Sequence, residues 1–162
     1  MAKTYEPIAT TTLGSAVTSF TFSSIPSTYT DLILVADMSS GGTNAYPSVR
    51  LNGDTASNYS RTYINGNGGS ASSSRNTETW WTVFGNQLAA SRTNFIMQIM
   101  NYSNTTTYKS ALSRKNDTAG VMGATVHLWR STAAINSVQI GTQTSDTFSV
   151  GTTFTLYGIK AA

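Results

Sequence analysis

Short stretches rich in β-branched and aromatic residues alternate with turn-forming residues along the whole sequence, and this alternation most constrains the fold. Clusters of Gly, Asn, Asp and Ser recur at short intervals between these stretches. No stretch carries the 3.6-residue apolar period of a long amphipathic helix. The sequence therefore predicts strands near residues 5–10, 16–22, 31–37, 47–52, 78–84, 93–102, 107–113, 121–130, 135–140 and 152–160.

Many short strands without crossover helices favour an antiparallel arrangement. We expect an all-β fold, an antiparallel β-sandwich of jelly-roll-like type with about eight to ten strands. Residues 1–162 are expected to form a single β-sandwich domain. The Gly- and Ser-rich stretch 55–79 is interpreted as a long surface loop or hairpin tip, and residues 85–94 as at most one helical turn.

Period-two alternation indicates which side chains share a face of a strand. In 93–102, apolar residues occur on both faces near the centre, so we expect this strand to be covered on both sides. Leu32–Val35 forms an unbroken apolar run and is also expected to be buried on both faces. In 121–130 the apolar face carries Met122, Ala124, Val126 and Leu128, whereas His127 and Trp129 lie opposite.

The composition argues against several partners. Charged residues make up only 10% of the 162 residues, and the net charge of +3 is scattered rather than clustered. A nucleic-acid partner is not expected, because such proteins usually gather Lys and Arg on one surface. No apolar run approaches the roughly 20 residues of a membrane helix, and the N-terminus lacks the apolar core of a secretory signal. We expect no membrane association, and we expect synthesis in a cytoplasm.

The sequence also lacks the patterns of an enzyme. There is no cysteine, one histidine, and seven widely spaced acids. The single His127 is interpreted as a packed imidazole, since a metal site needs three or four ligands. No nucleophile elbow or phosphate-binding glycine loop is present. We expect no catalytic residues, no cofactor and no metal.

Trp80 and Trp81 are the strongest candidate binding residues. Adjacent residues of a strand point to opposite faces, so one indole is expected in the core and the other outside. The outer indole can contact a partner subunit, lie under a loop, pack in a second buried face, or stack on a sugar. Tyr59 and Tyr63 are candidates to join it at such an interface or glycan-stacking site.

Motifs at both ends of the chain resemble a known group of proteins. They are "TFTLYGIKAA" at 153–162 and "IATTTLGSAVTSFTFSSIPSTYTDLILVAD" at 8–37, extended by 51–60, 101–110 and 128–140. This chain resembles small virion structural proteins of tailed bacteriophages, whereas 64–92 is particular to it. The motifs specify packing and turns: Phe154, Leu156, Tyr157 and Ile159 are expected to pack the terminal strand.

The resemblance implies a non-enzymatic virion protein. A capsid decoration (cement) protein on the outer head surface is the leading expectation, because the chain shows no coiled-coil stalk. Its expected partners are other copies of itself, as a homotrimer, and the phage major capsid protein. The alternative is a carbohydrate-binding adhesin or a tail- or fibre-associated receptor-binding protein, with a host-surface glycan as partner.

Overall fold

A computed structural model describes residues 4–42, 45–83, 92–117 and 120–160 of the chain. Within these residues the chain forms strands and turns, and no helix. The twelve strands are β1 Tyr5–Thr12, β2 Ser19–Phe22, β3 Asp31–Met38, β4 Ser48–Leu51, β5 Tyr59–Gly66, β6 Ala71–Glu78, β7 Trp81–Thr82, β8 Thr93–Met100, β9 Lys109–Asp117, β10 Met122–Trp129, β11 Val138–Gly141 and β12 Thr153–Ile159.

The strands make two antiparallel sheets. The larger has eight strands in the order β1-β12-β3-β8-β9-β10-β5-β6, and the smaller has four in the order β2-β11-β4-β7. The predicted all-β, antiparallel sandwich is therefore confirmed, with twelve strands in the described residues instead of eight to ten. An antiparallel sheet readily gains further strands, because each added strand needs only a tight turn and one neighbouring strand to pair with.

The core fills the space between the two sheets. The larger sheet contributes every second residue of β3, β8 and β12, including Leu34, Met97 and Leu156, all fully buried. The smaller sheet contributes Val138 and Ile140 from β11 and Trp81 from β7. Large rings fill the widest gaps, which is the close packing expected of a folded interior.

The last strand lies inside the larger sheet. β12 pairs with β1 on one side and with β3 on the other. Phe154 and Leu156 point into the core and are fully buried, while Tyr157 and Ile159 are half-buried on the opposite face. Pairing on both sides and burial of alternate residues hold this terminal segment in place.

The stretch 55–79 differs from its interpretation as a loop or tip. It contains β5 and β6, paired without a break from Tyr59↔Glu78 to Gly66↔Ala71. The turn between them includes Gly68, whose φ of 84° suits glycine, and the Asn67 side chain accepts bonds from the Gly69 and Ser70 amides. Sequence reasoning missed the strands because β6 is almost entirely polar and has no apolar alternation to detect.

Two other predictions from the sequence fall partly on residues outside the described ranges. The predicted strand at 78–84 is reduced to the two residues Trp81–Thr82 within the described part. The single helical turn expected at 85–94 falls mostly on residues outside the described ranges, and its last two residues, Thr93 and Asn94, begin β8.

Candidate interaction surface

The face of the eight-stranded sheet that points away from the core is here called the outer face. Cross-strand pairing aligns its side chains in rows that run across the sheet. Two central rows, together called the apolar band, extend from β12 to β5. One row holds Tyr157, Ile33, Gln98, Leu112, Val126 and Thr62; the next holds Thr155, Val35, Ile96, Arg114, Ala124 and Ile64.

Several aliphatic side chains of this face are open to solvent. Ile64 is 61% exposed, Val126 55% and Leu112 49%, and Met122 beside the band is 67% exposed. The solvent face of an antiparallel sheet normally carries polar residues. Contiguous exposed apolar surface of this kind marks a site of interaction.

Strand β10 shows most clearly that apolar side chains of this sheet face solvent while polar ones face the core. Its apolar alternation, Met122 to Leu128, faces outward, while Thr125 and His127 point into the core and are buried. β8 behaves similarly: its core face is buried as expected, but Ile96 is only half-buried and Met100 is 37% exposed. The expectation that β8 is covered on both sides is therefore wrong for the described residues.

The outer face is hollowed along the band. Two adjoining depressions of about 540 and 570 Å³ lie side by side, and both are lined by Ile96, Arg114 and Ala124. The first extends toward Met122 and Ile64 on β10 and β5, and the second toward Tyr5 and Tyr157 at the other edge. Together they make a shallow groove that crosses the strands.

The size of the band follows from sheet geometry. Six neighbouring strands span roughly 24 Å at ~4.8 Å per step, and two rows cover roughly 14 Å along the strands. The resulting footprint of about 340 Å² includes the polar residues Gln98, Thr62, Thr155 and Arg114, so its apolar area is smaller. Apolar patches of a few hundred Å² on soluble proteins are often functional. The entire face, eight strands by four rows, offers roughly 900 Å², comparable with the ~800 Å² that each partner contributes to a standard protein interface.

Arg114 is the one cation inside the band. It is exposed, and its side chain forms no ion pair or hydrogen bond with the residues that the structure describes. The other long polar side chain, Gln98, is already engaged, because its Nε2 donates to Asp31 Oδ2 at 2.8 Å. Asp31 also accepts from the Asn101 amide at 2.8 Å, so this acid fixes the turn after β8. Arg114 is thus a solvent-exposed positive charge within the band.

The sequence-predicted aromatic candidates do not gather in one place. Trp81 and Tyr59 are fully buried and pack edge to face, with ring centroids 6.2 Å apart. Trp80 is half-buried on the outward side of the smaller sheet, where the Arg50 guanidinium lies 3.6 Å from its ring centroid. Tyr63 is also half-buried, and the Arg61 guanidinium lies 4.8 Å from its ring centroid. The rings therefore do not form a single platform.

The inward and outward placement of the two tryptophans follows the strand alternation. Trp81 enters the core, and the Trp80 ring lies against Gly141, 2.9 Å from where a Cβ would stand. A side chain at position 141 would push this ring away, so the glycine is what lets Trp80 lie flat on the sheet.

His127 is a packed core residue. Its ring is fully buried beside Trp81, and its Nε2 lies 2.8 Å from Ser113 Oγ. Burial, with a smaller contribution from the Arg61 charge, lowers the pKa of His127 to about 3. The imidazole is therefore neutral at physiological pH and has no route to a substrate.

Four of the acidic side chains form ion pairs or hydrogen bonds that stabilise the fold. Glu78 pairs with Arg61 at 3.0 Å, Asp37 with Arg92 at 2.6 Å, and Glu6 with Lys160 at 2.9 Å. Asp54 accepts from Trp129 Nε1 at 2.7 Å and from Asn58 at 2.9 Å. Burial raises the pKa of Asp54, but these hydrogen bonds, the Ala56 amide and Arg50 outweigh it and hold the pKa below its usual value.

Metal-ligating residues are scattered. Within the described ranges no three His, Asp or Glu side chains converge closely enough to hold a metal ion. In the same part of the chain no helix is long and apolar enough to span a bilayer.

Comparisons with known proteins leave the family open. No protein-family model matches the sequence, and no curated protein does. Among solved structures, a mutant of the alginate lyase Aly36B in complex with an alginate tetrasaccharide is similar at a TM-score of 0.33 and 10% identity. The match covers 98% of this chain and 75% of the lyase chain. A likeness at that score carries no argument about function.

Sequence reasoning identified the apolar face of β10, which supplies Ala124 and Val126 to the apolar band, without recognising its role. The period-two pattern in 121–130 separated Met122, Ala124, Val126 and Leu128 from His127 and Trp129 correctly. The pattern alone does not show which of the two faces points into the core. The indole of Trp129 was the available signal, because so large a ring is rarely left in solvent.

Proposed function

We propose that this protein is a non-enzymatic virion structural protein, and specifically a capsid decoration protein that binds the outer surface of a phage head. One observation carries the proposal: the exposed apolar band on the outer face of the eight-stranded sheet. A folded protein that leaves such a band open gains free energy when another protein surface covers it. The resemblance of the sequence motifs to those of phage virion proteins supports this context.

The chemistry of the band favours a protein partner over a sugar. Sugar sites combine aromatic rings with hydrogen-bonding groups, whereas this band is mainly aliphatic, with Tyr157 as its one aromatic ring and Arg114 and Gln98 as its long polar side chains. The complementary surface would be apolar and carry one carboxylate opposite Arg114. On the capsid, this contact would bridge neighbouring subunits and oppose their separation by heat or internal pressure.

The placement of the ionisable groups supports a role without catalysis. Five described acids hold structural contacts, and His127 is neutral and buried. Catalytic acids and bases instead need access to a substrate and pKa values near the working pH. Replacing one of these acids by its amide should therefore lower the stability of the protein. In an enzyme, replacing a catalytic acid by its amide would instead remove turnover.

The test of the proposal is the behaviour of virions that lack the protein. We expect heads without it to release DNA at lower temperature and lower salt stress than wild-type heads, and added purified protein to restore resistance. Quantitative mass spectrometry of intact virions should find copies by the hundred, on the head. Unchanged heat and salt resistance, or a few copies on the tail alone, would remove the decoration role.

The alternative of a glycan-binding adhesin has weaker support. Of the four aromatic candidates, Tyr59 and Trp81 are buried, and Trp80 and Tyr63 each have an arginine over the ring. A glycan array probed with wild-type protein and with Trp80→Ala would decide it. Binding that the substitution abolishes would favour the adhesin.

A further inference from the structure

The four edge strands of the two sheets are protected to different degrees. β2 has four residues and β7 only two, so each offers a short edge. β1 has eight residues but contains Pro7 and a register shift between Pro7 and Ala9. Short strands, proline and bulges are the usual devices that stop a sheet edge from pairing with another chain.

Strand β6 carries none of these devices. It has eight residues in unbroken register with β5, no proline, no lysine and no bulge. Six of the eight residues are exposed, including alternate positions on both sides of the strand. A long, regular and uncovered edge of this kind is a template for strand addition.

The turn before β6 determines which backbone groups face outward. The Asn67 amide donates to the Ser70 carbonyl at 3.2 Å, so these residues form a hydrogen-bonded pair. Such pairs alternate along an antiparallel ladder. Ser72, Ser74, Asn76 and Glu78 therefore bond to β5, and the N–H and C=O groups of Ala71, Ser73, Arg75 and Thr77 point away from the sheet.

We propose that β6 is a homodimerisation edge, at which the β6 strands of two copies pair antiparallel about a two-fold axis through Ser74. In this register Ser73 faces Arg75 of the partner subunit and Ala71 faces Thr77 of the partner subunit, so all four outward residues find a hydrogen-bonding partner. Ser74 faces Ser74 of the partner subunit. The contact joins two eight-stranded sheets into one continuous sheet.

Side-chain chemistry and strand length disfavour the two registers with the axis farther along β6. If the two-fold axis passed through Arg75 instead, two guanidinium groups would lie directly opposite each other, which is destabilising. An axis at Asn76 would leave Ala71 and Ser73 without a partner inside the strand. Around Ser74 no like charges stand directly opposite each other, and the two Arg75 side chains lie diagonally, each opposite a small serine.

This inference is independent of the decoration role and differs from the homotrimer that the resemblance implies. A two-fold contact between identical strands closes on itself and yields dimers, or assemblies with an even number of chains. The outer faces of the two copies would then lie side by side on the same surface of the joined sheet.

Cysteine cross-linking tests the register, because the chain contains no cysteine of its own. In Ser74→Cys, the two thiols lie at a non-hydrogen-bonded pair with a Cα separation of about 4.5 Å, within the range for a disulfide. In the matched control Ser72→Cys, the Cα atoms are about 14 Å apart, four residues along the strand. We expect oxidation to give a covalent dimer of the first variant and a monomer of the second.

Analytical ultracentrifugation of the full chain tests the edge itself. Ser73→Pro removes an amide that does not bond to β5, so the monomer should keep its fold, but it blocks pairing. We expect it to raise the dimer dissociation constant at least about tenfold, whereas Ser73→Ala leaves it unchanged. Circular dichroism confirms that each variant is folded. A wild-type monomer at all concentrations, a trimer insensitive to Ser73→Pro, or equal cross-linking of both cysteine variants would overturn the proposal.

Discussion

At the scale of single residues, Gly158 makes room for the Tyr29 ring. A Cβ built at Gly158 would overlap the carbons of that ring, and Tyr29 in turn packs against the core. The ring cannot move freely, because its hydroxyl donates to Glu6 Oε2 at 3.3 Å. The glycine in "LYGIK" is therefore a packing requirement of the terminal strand.

The first prediction concerns this contact. Gly158→Ala should lower the free energy of unfolding by roughly 1–3 kcal/mol, because the added methyl overpacks the site. Gly14→Ala is the control, since no atom lies within 4 Å of its Cβ position, and it should change stability by less than about 0.5 kcal/mol. Urea denaturation measures both. Equal stability of the two variants would show that Tyr29 moves aside without cost.

The second prediction concerns pH. The pKa of His127 is lowered to about 3 in the folded protein by burial and by Arg61, while the unfolded chain keeps the ordinary histidine pKa of 6.5. Between these values the unfolded state binds the extra proton, so stability is full above pH 6.5 and falls as the pH drops toward 3. From pH 7 to pH 5 we expect a loss of about 2 kcal/mol.

His127→Gln supplies the control for the pH effect. The amide can still bond Ser113 and has no titration, so the variant's stability should change little between pH 7 and pH 5. Urea unfolding at the two pH values gives the comparison. A wild-type curve as flat as that of the variant would mean that the ring is protonated in the fold.

At the scale of elements, β12 joins the first strand to the middle of the sheet. Leu156 is fully buried and its neighbour Thr155 is half-buried on the outer face. We predict that Leu156→Ala costs about 2–5 kcal/mol through lost burial and an internal cavity, and that Thr155→Ala costs less than about 1 kcal/mol. Thermal unfolding followed by circular dichroism checks this; a similar cost for both would place β12 outside the core.

Some strands could be predicted from the sequence, and others could not. Strands with β-branched and aromatic residues, such as β3 and β12, were predictable because burial leaves an apolar pattern. β6 was not, since its polar side chains face solvent on both sides and its pairing with β5 depends on backbone bonds. The polar, solvent-facing side chains that made β6 hard to predict also leave it as an uncovered edge of the sheet.

At the scale of the whole molecule, the sandwich has two unequal sheets, and the larger one turns an apolar face outward. The fold class was predictable from turn spacing and the lack of helical periods. The apolar band was not, because it forms only when pairing aligns residues from β12, β3, β8, β9, β10 and β5 in register. A single strand shows only that two faces differ, and the opposing sheet decides which one is buried.

We propose that the apolar band is the surface that binds the virion. Two exposed valines test it: Val126 lies in the band and is 55% exposed, and Val150 lies outside it and is 61% exposed. Lysine at either position is accessible to water, so neither substitution should change stability by more than about 0.5 kcal/mol.

The deciding measurement is the binding of Val126→Lys and Val150→Lys to heads purified from virions that lack the protein. We predict that Val150→Lys binds as wild type and that Val126→Lys binds at least about tenfold more weakly, because it places a charge in a desolvated contact. Equal binding of the two variants would contradict the account and move the contact surface elsewhere on the molecule.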